Sequence, residues 1–364
     1  MREAKIGTVQ ALLLLLLSRI VSLLAAAPLS RQGEIGGGMT LVALLLSYGM
    51  VILLFLPGFW LLCRHPGADY AQALTMELGR GAAFFLWLVL TVQAGLTAAE
   101  FERFLLTAVY TDAPETVFAL LFLGAAVFGV CAGLEAFARF TTFCGTLFFL
   151  LTAGLFFRLW QDIRLTELFA APMPTLPVFL GTSWSFVSGC MELLCFFLLL
   201  SHLRMETRKG KGLFLIWNTL YLFLAGALLF LVTCVLGGSA EQGREYPFYT
   251  LAMAAEGTLL TRMDALHMSV WSVLGLLRCM LMLWGADKAL RCARSLPGER
   301  GTRIALTTVG AAVTLLLLRF PDVYRSVRYL WREGILLVIL LVLFPAAVFL
   351  MRLGRNLIER RKRV

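Results

Sequence analysis

The chain has 364 residues and a net charge of +10; 60% of its residues are hydrophobic, only 15% are charged, and its mean hydropathy is +0.85. An ordinary soluble domain is roughly 25% charged, and apolar stretches of about 20 residues, long enough to cross a bilayer, recur along this chain. These values exclude a soluble protein. The basic residues cluster between the apolar stretches, so the charge does not indicate nucleic-acid binding, and we expect an all-α polytopic membrane protein.

The apolar stretches predict ten transmembrane helices. Lys and Arg concentrate on one side, most densely in "RMETRKGKG" at 204–212 and "RRKR" at 360–363. This positive-inside pattern places both termini in the cytoplasm, with a basic tail at 352–364 against anionic lipid. The ten predicted spans are 8–27, 38–62, 82–109, 116–133, 140–159, 181–202, 213–236, 264–286, 303–319 and 333–351.

Two segments between the predicted spans are expected on the outer side of the membrane. Residues 159–180 predict an interfacial helix and turn, and residues 237–263 predict a helix on the outer surface; each either covers a site or simply connects spans.

The eight cysteines are scattered without a C-x-x-C pair, and there are only three histidines. We therefore expect no metal site, disulfide framework or cofactor. Without a G-x-S-x-G or H-E-x-x-H motif, an enzyme is not expected either.

Ten spans divide into two sets of five. An odd number of spans per repeat gives the halves opposite orientations, so the first and sixth spans would be inverted partners. We expect a single transmembrane domain with repeat one at 8–159, an outer connector at 160–180 and repeat two at 181–351. In this architecture the ligand lies near the midplane, beside interrupted helices.

Arg19 lies near the middle of the first span, where a guanidinium costs at least ~2.5–3.5 kcal/mol on insertion scales. Glu192 in the sixth span lies about 16 Å from that span's start, at a matching depth. Arg19 is therefore expected either to pair with Glu192 or to hold a zwitterion together with it. The alternatives are that Arg19 pairs with other helices, faces a water-filled vestibule or binds a partner subunit.

Small polar residues mark where these two spans could open. Ser188 and Gly189 precede the buried carboxylate of Glu192 and favour an interruption of the sixth span. Ser18 and Ser22 flank Arg19, where they either satisfy freed backbone groups or permit close helix packing. The sequence leaves open whether the first span is broken.

Three further residues are candidates for ligand binding. Gln93 in the third span is either an interhelical hydrogen-bond partner or a ligand contact. Arg278 in the eighth span is expected in the cytoplasmic half, near an inner vestibule. Trp184, one turn from Ser188, is placed to close the outer side of a site.

Four stretches match a known family in order and spacing. Residues 246–271, "YPFYTLAMAAEGTLLTRMDALHMSVW", resemble the signature of endospore germination permeases. Residues 63–80, 100–118 and 133–140 resemble that family's inner amphipathic segment, the end of its third span and its short turn before the fifth span. The signature positions are Tyr246-Pro247, Asp264-Ala265-Leu266 and Trp271.

The resemblance implies the B subunit of a nutrient germinant receptor in the spore inner membrane. It implies a LeuT-type five-plus-five inverted repeat, similar to amino acid–polyamine–organocation transporters, with a larger A subunit and a lipoprotein C subunit as partners. The ligand would be a small zwitterionic nutrient such as an amino acid, bound between spans one, three, six and eight. One departure is that "SRIVS" at 18–22 stands where the family has a glycine-containing break.

Three functions follow as alternatives. The first is a nutrient sensor, in which Arg19 attracts the ligand's carboxylate and Glu192 its ammonium group. The second is a proton-coupled amino-acid transporter with Glu192 as the titrating group. The third is a scaffold whose buried charges serve only the assembly of a complex.

Overall fold

The computed structural model describes residues 5–25, 35–108, 115–203, 209–237, 246–255, 263–294 and 300–362, and most of these residues are helical. The fifteen α-helices of these ranges are α1 Thr8–Ala25, α2 Gly38–Arg64, α3 Tyr70–Leu78, α4 Arg80–Ala108, α5 Glu115–Ala132, α6 Leu134–Leu159, α7 Leu176–Ser188, α8 Glu192–Leu199, α9 Gly210–Leu236, α10 Pro247–Ala254, α11 Met263–Arg294, α12 Arg300–Leu317, α13 Pro321–Arg332, α14 Ile335–Val338 and α15 Phe344–Lys362.

The predicted spans coincide with these helices. Seven spans are long and apolar enough to cross a membrane by length and composition, counting α7 and α8 together as Leu176–His202. The pair α12–α13 makes an eighth if it is one span bent by 117°, and α1 and α5 contain the shorter apolar helices. A polytopic helical protein is confirmed, whereas the count of ten crossings and the division into two repeats stay predictions.

The broken helix α7–α8 lies at the centre of the bundle. In Leu176–His202, 83% of the apolar window is buried, against 28–44% in the spans that begin at Gly38, Leu134, Gly210 and Ile335. All eight residues of α8 are buried, as are most side chains of α1. Helix α11 packs on α4, α5, α1, α6 and α12 and joins these layers. The residues singled out from the sequence on α1, α7, α8 and α11 therefore lie inside the protein.

The sixth span is interrupted where the sequence favoured it, between Ser188 and Glu192. Hydroxyls along α7 hydrogen-bond to carbonyls three or four residues back, and such back-bonding bends helices. Gly189 itself has an ordinary φ of −71°, so the break does not depend on a left-handed glycine. A Cβ there would lie 3.7 Å from the Ser22 hydroxyl, an ordinary contact distance, so α1 packs closely against the break without requiring a glycine.

The first span shows no such break. Helix α1 runs continuously from Thr8 to Ala25 through Arg19. Residues 26–34 lie outside the described residues. Of the first and sixth spans, only the sixth is interrupted in the described part of the chain.

The outer segments are shorter helices than the sequence indicated. Residues 160–169 form two 3₁₀ turns, Trp160–Asp162 and Leu165–Phe169, and α7 already begins at Leu176. The predicted outer helix at 237–263 is represented by α10, while 238–245 and 256–262 lie outside the described residues. Most of the basic stretch 204–212 and residues 363–364 lie outside them as well.

Helices α2, α3 and α15 meet at the end of the bundle that the charge pattern assigns to the cytoplasm. A capping box between Asp69 and Gln72 begins α3. The Tyr70 hydroxyl donates a hydrogen bond to the carbonyl of Leu340, in the π-helical turn Ile339–Leu343 that links α14 to α15. This turn exposes carbonyl groups to side-chain donors, and the hydrogen bond fixes α3 against the last span.

Candidate functional site

A cavity lies beside the interruption of the sixth span, between α1, α4, α7, α9, α11 and α13. The cavity has a volume of about 100 Å³, which is enough for several water molecules or one small solute. Five of the nine residues proposed from the sequence line it: Ser22, Gln93, Ser188, Gly189 and Arg278. The structure thus brings together predicted residues from spans one, three, six and eight.

The buried carboxylate of Glu192 lies next to this cavity and pairs with Arg278. The Nε atom of Arg278 lies 2.9 Å from Oε1 of Glu192, and both side chains are at most 4% exposed. The Nε–H is not aligned for a hydrogen bond, so the contact is an ion pair. Ser18 donates a hydrogen bond of 3.1 Å to the same oxygen. Glu192 is therefore held by α1 and α11 together.

Arg278 also stabilises the break itself. Its Nη2 donates a hydrogen bond of 3.3 Å to the carbonyl of Gly189, one of the backbone groups that an interrupted helix leaves without an intrahelical partner. The sequence placed Arg278 in the cytoplasmic half, near an inner vestibule, and that depth stays a prediction. The residue lies at the break and lines the cavity, because α11 passes the centre of the bundle at this point.

Arg19 does not pair with Glu192, so the direct ion pair expected from matching depths is wrong. Its Nη1 donates a hydrogen bond of 2.8 Å to Oδ1 of Asn218 on α9. Its guanidinium carbon lies 3.6 Å from the ring centroid of Tyr221 and 5.1 Å from that of Trp217. The alternative in which Arg19 interacts with another helix is the one observed. An amide oxygen and two aromatic faces, all neutral groups, surround this cation.

Five buried polar atoms in and around this cluster have no hydrogen-bond partner in the described part of the chain: Oε2 of Glu192, Nε of Arg19, Nε of Arg278, Nε1 of Trp217 and Nε1 of Trp331. Buried polar atoms in native proteins are almost always hydrogen-bonded. Each exception therefore calls for an explanation, such as a bound water or ion.

The other predicted residues have structural partners. Gln93 donates a hydrogen bond of 3.3 Å to Thr97, one turn further along α4, and also lines the cavity. Trp184 donates from Nε1 to the carbonyl of Glu333, 2.9 Å away, and is not among the cavity-lining residues. It joins α7 to the corner between α13 and α14.

Several cavity residues were missed from the sequence. Tyr221 of α9, Glu100 of α4, and Arg328, Trp331 and Arg332 of α13 line the cavity. In the sequence, α13 falls between two predicted spans, because a twelve-residue segment rich in arginine is too short and too polar to be recognised as a transmembrane helix. The signal that identifies it is amphipathic spacing, since residues 328 and 332 are four apart and so share one face of a helix.

The end of helix α7 adds a partial negative charge to the cavity wall, beside the positive charges of its arginines. The last turn of α7 contributes Ser185 and Ser188 to the lining. The carbonyl end of a helix carries a partial negative charge and favours a cation. Guanidiniums on α11 and α13 favour a carboxylate. The cavity can therefore accommodate both ends of a zwitterion.

The fold is one that solved membrane transporters share. Among the solved structures with a similar fold are MhsT in complex with L-phenylalanine (TM-score 0.64, 15% identity, 97% of this chain and 99% of that chain) and a mutant of a manganese transporter of Eremococcus coleocola (0.58, 12%, 93% and 76%). The nucleobase-cation-symport-1 family transporter MHP1, closed with bromovinylhydantoin bound, is a further match (0.59, 14%, 87% and 72%). The LeuT-type fold expected from the sequence is confirmed.

The family follows from the sequence match. The model of the spore germination protein family, named Spore_permease, matches residues 14–296, and the chain belongs to this family. Comparison with curated protein sequences finds no match. Family and fold are those of permeases and transporters, and the resemblance noted in the sequence is confirmed.

Proposed function

We propose that the chain is the nutrient-sensing membrane subunit of a spore germinant receptor and binds a small zwitterion, an amino acid in the first instance. Its partners would be the receptor's A and C subunits, and its place the spore inner membrane with both termini cytoplasmic. Family membership and the transporter fold support the proposal. The observation that carries it is the cavity at the break in the sixth span, where guanidiniums and helix carbonyl ends meet.

Recognition at this position would be coupled to a change of conformation. The cavity wall includes the interrupted helix and the corner helix α13, two elements that are not continuous membrane-spanning rods. A ligand shifts a conformational equilibrium only by its difference in affinity for the two states. A nutrient that contacts both α7 and α13 would favour the conformer in which the two lie close together, and the complex would transmit that change.

Binding by the purified chain tests this proposal. We expect at least one amino acid from a complete panel to raise the unfolding temperature of the detergent-solubilised protein, and Arg328→Ala to weaken that effect. Arg325→Ala is the matched control, because Arg325 is also on α13 but its side chain is 76% exposed and paired with Asp322. If no amino acid stabilises the protein, or if both variants behave alike, the proposed site is wrong.

The cellular role needs a second measurement. Spores carrying Arg328→Ala are expected to need a higher concentration of nutrient for germination, while the receptor complex still assembles. Arg19→Leu distinguishes a scaffold, since that function predicts lost assembly with an unchanged nutrient response in the receptor that remains. A normal nutrient response in Arg328→Ala spores would contradict the sensor function.

A proton-coupled amino-acid transporter is the second candidate, favoured by the unpartnered Oε2 atom of Glu192. Carboxylates inside the membrane mark proton relays in pumps and transporters. Uptake of labelled amino acid into vesicles that contain this chain alone, driven by a pH gradient and lost in Glu192→Gln, would support it. Binding without uptake would favour the sensor.

A further inference from the structure

The last membrane span contains a π-helical turn, Ile339–Leu343, between α14 and α15. In this turn the N–H of Phe344 bonds to the carbonyl of Ile339, five residues back, whereas an α-helix would use the carbonyl of Leu340, four residues back. The turn therefore takes up one residue more than an α-helical turn. The orientation of α15 relative to α14 depends on which of the two registers the turn adopts.

Pro345 explains why two registers compete in this span. It follows the turn directly, and proline has no backbone N–H. In the π register the carbonyl that loses its donor is that of Leu340, five residues before the proline. In the α register it is that of Leu341, four residues before. Either register leaves one carbonyl without an intrahelical donor, and such a group is costly inside a membrane, so on this count the backbone favours neither register.

The hydroxyl of Tyr70 supplies the missing donor for one of these registers. It donates a hydrogen bond of 2.5 Å to the carbonyl of Leu340, the carbonyl that the π register leaves open. Tyr70 is fully buried, and its ring stacks on Phe197 of α8 with the ring centroids 5.2 Å apart. Gly58 of α2 permits this close packing, because a Cβ there would lie 2.8 Å from the Phe197 ring and 3.4 Å from the Leu341 side chain. The packing therefore holds the hydroxyl against the turn.

A change of register would alter how the two ends of the span are oriented to each other. At one end, the corner at Gly334 lies against Ser188, which lines the cavity. At the other end, Arg352 of α15 hydrogen-bonds to the carboxylate of Glu77 on α3, with Nε 3.3 Å from Oε2. Removing the extra residue turns α15 by one residue relative to α14, about 100° at 3.6 residues per turn. Met351 then takes the place of Arg352 opposite Glu77.

We propose that Tyr70 is a register switch for the last span. While its hydroxyl is bonded to the carbonyl of Leu340, the turn is π-helical and Arg352 faces Glu77. When the hydroxyl is withdrawn, the turn becomes α-helical and Arg352 leaves Glu77. The ring of Tyr70 packs on α8, so a movement of the second half of the broken span against α3 would operate the switch. This device needs no ligand, and it holds whether or not the proposed nutrient binds.

Thiol cross-linking reports which residue of α15 faces α3. Glu77→Cys is combined with either Arg352→Cys or Met351→Cys in the purified full-length chain, in a Cys63→Ala background because Cys63 is exposed. A short bifunctional thiol reagent links each pair, and mass spectrometry of the proteolytic fragments gives the two rates. With Tyr70 in place, we expect the pair at 352 to link several-fold faster than the pair at 351.

Tyr70→Phe removes only the hydroxyl and keeps the ring on Phe197, and it is expected to reverse the ratio of the two rates in favour of Met351→Cys. Tyr329→Phe is the matched control, because it removes a hydroxyl from a side chain of α13 that is 62% exposed, and it should leave the ratio unchanged. Tyr70→Phe with Pro345→Ala gives the α register all its donors and shows the ratio of that register. The switch is overturned if Tyr70→Phe keeps the ratio of the natural chain, or if the natural chain already links faster at 351.

Discussion

The guanidinium of Arg278 lies 2.9 Å from the carboxylate of Glu192 in the interior of the bundle, with the two side chains 4% and 0% exposed. This pair joins α11 to the first turn of α8, just past the interruption of the sixth span. The same arginine binds the carbonyl of Gly189. One side chain therefore neutralises a buried charge and satisfies a backbone group that the break exposes.

Removing one partner of this pair is expected to destabilise the protein strongly. Glu192→Gln and Arg278→Leu should each lower the free energy of unfolding by about 3–5 kcal/mol, because the remaining charge stays buried without its partner. The double variant should lose clearly less than the sum of the two. Denaturant unfolding of the purified chain in detergent measures all three. Additive losses would show that the two charges do not interact.

The exposed pair of Glu135 and Arg139 is the control for this experiment. These side chains are 47% and 70% exposed and lie four residues apart on α6. Exposed pairs of this type contribute ~0.3–0.5 kcal/mol. Glu135→Gln should therefore leave the stability within about 0.5 kcal/mol of the natural chain.

Arg19 and Tyr221 are expected to be energetically coupled. A desolvated cation over an aromatic face can contribute about 2 kcal/mol. A double-mutant cycle with Arg19→Leu and Tyr221→Leu should give a coupling free energy of about 1–2 kcal/mol. Unfolding of the four proteins in the same detergent measures it. A coupling close to zero would mean that Asn218 and Trp217 compensate Arg19 without Tyr221.

The sequence was sufficient for the position of the break and for where most helices lie along the chain, but not for their exact ends. Ser188-Gly189 ahead of a buried carboxylate is a local pattern, and local hydroxyl back-bonding produces the interruption. The partner of Arg19 was not predictable in the same way. Counting residues along a helix gives the depth of a side chain, but not the direction in which it points around the helix axis. Arg19 and Glu192 match in depth, yet Arg19 faces α9.

The sequence did not predict that α13 forms part of the cavity wall, for a different reason. Hydropathy detects spans, and the segment from Pro321 to Arg332 is polar, short and separated from α12 by a bend of 117°. Its packing against α7 depends on contacts between residues far apart in the sequence, such as Trp184 with the carbonyl of Glu333. Such contacts become visible only when the helices are assembled.

Gly334 is expected to tolerate no side chain, because it forms the corner between α13 and α14 with a φ of +63°. A Cβ there would lie 3.0 Å from the Cβ of Ser188 and 3.1 Å from the Trp184 ring. Gly334→Ala should lower the unfolding free energy by about 2–3 kcal/mol, from the left-handed backbone and the contact together, and weaken ligand binding because Ser188 lines the cavity.

Gly67 provides the matched control for that variant. It has a φ of +86°, but a Cβ there would meet nothing within 4 Å. Gly67→Ala should therefore lose only the backbone contribution of about 1 kcal/mol and leave ligand binding unchanged. Equal losses in the two variants would show that the corner against α7 has no packing role.

The last prediction concerns pH and His65, which follows the end of α2. Its Nε2 lies 2.8 Å from Oε1 of Glu77, and Arg352 hydrogen-bonds to the same carboxylate. Burial, followed by the guanidiniums of Arg352 and Arg64, lowers the pKa of His65 below its usual 6.5. As the pH falls below about 6.5, the unfolded chain takes up a proton at this position before the folded chain does. The free energy of unfolding therefore decreases as the pH decreases through that window.

His65→Gln removes this titration while keeping an N–H group that can donate to Glu77. The unfolding temperature of the natural chain should consequently fall more between about pH 7.5 and pH 5.5 than that of the variant. Thermal unfolding of both proteins at several pH values in one detergent measures the difference. An equal fall in the two proteins would mean that His65 binds its proton equally in the folded and unfolded states. In that case the junction of α2, α3 and α15 would contribute nothing to the acid sensitivity of the fold.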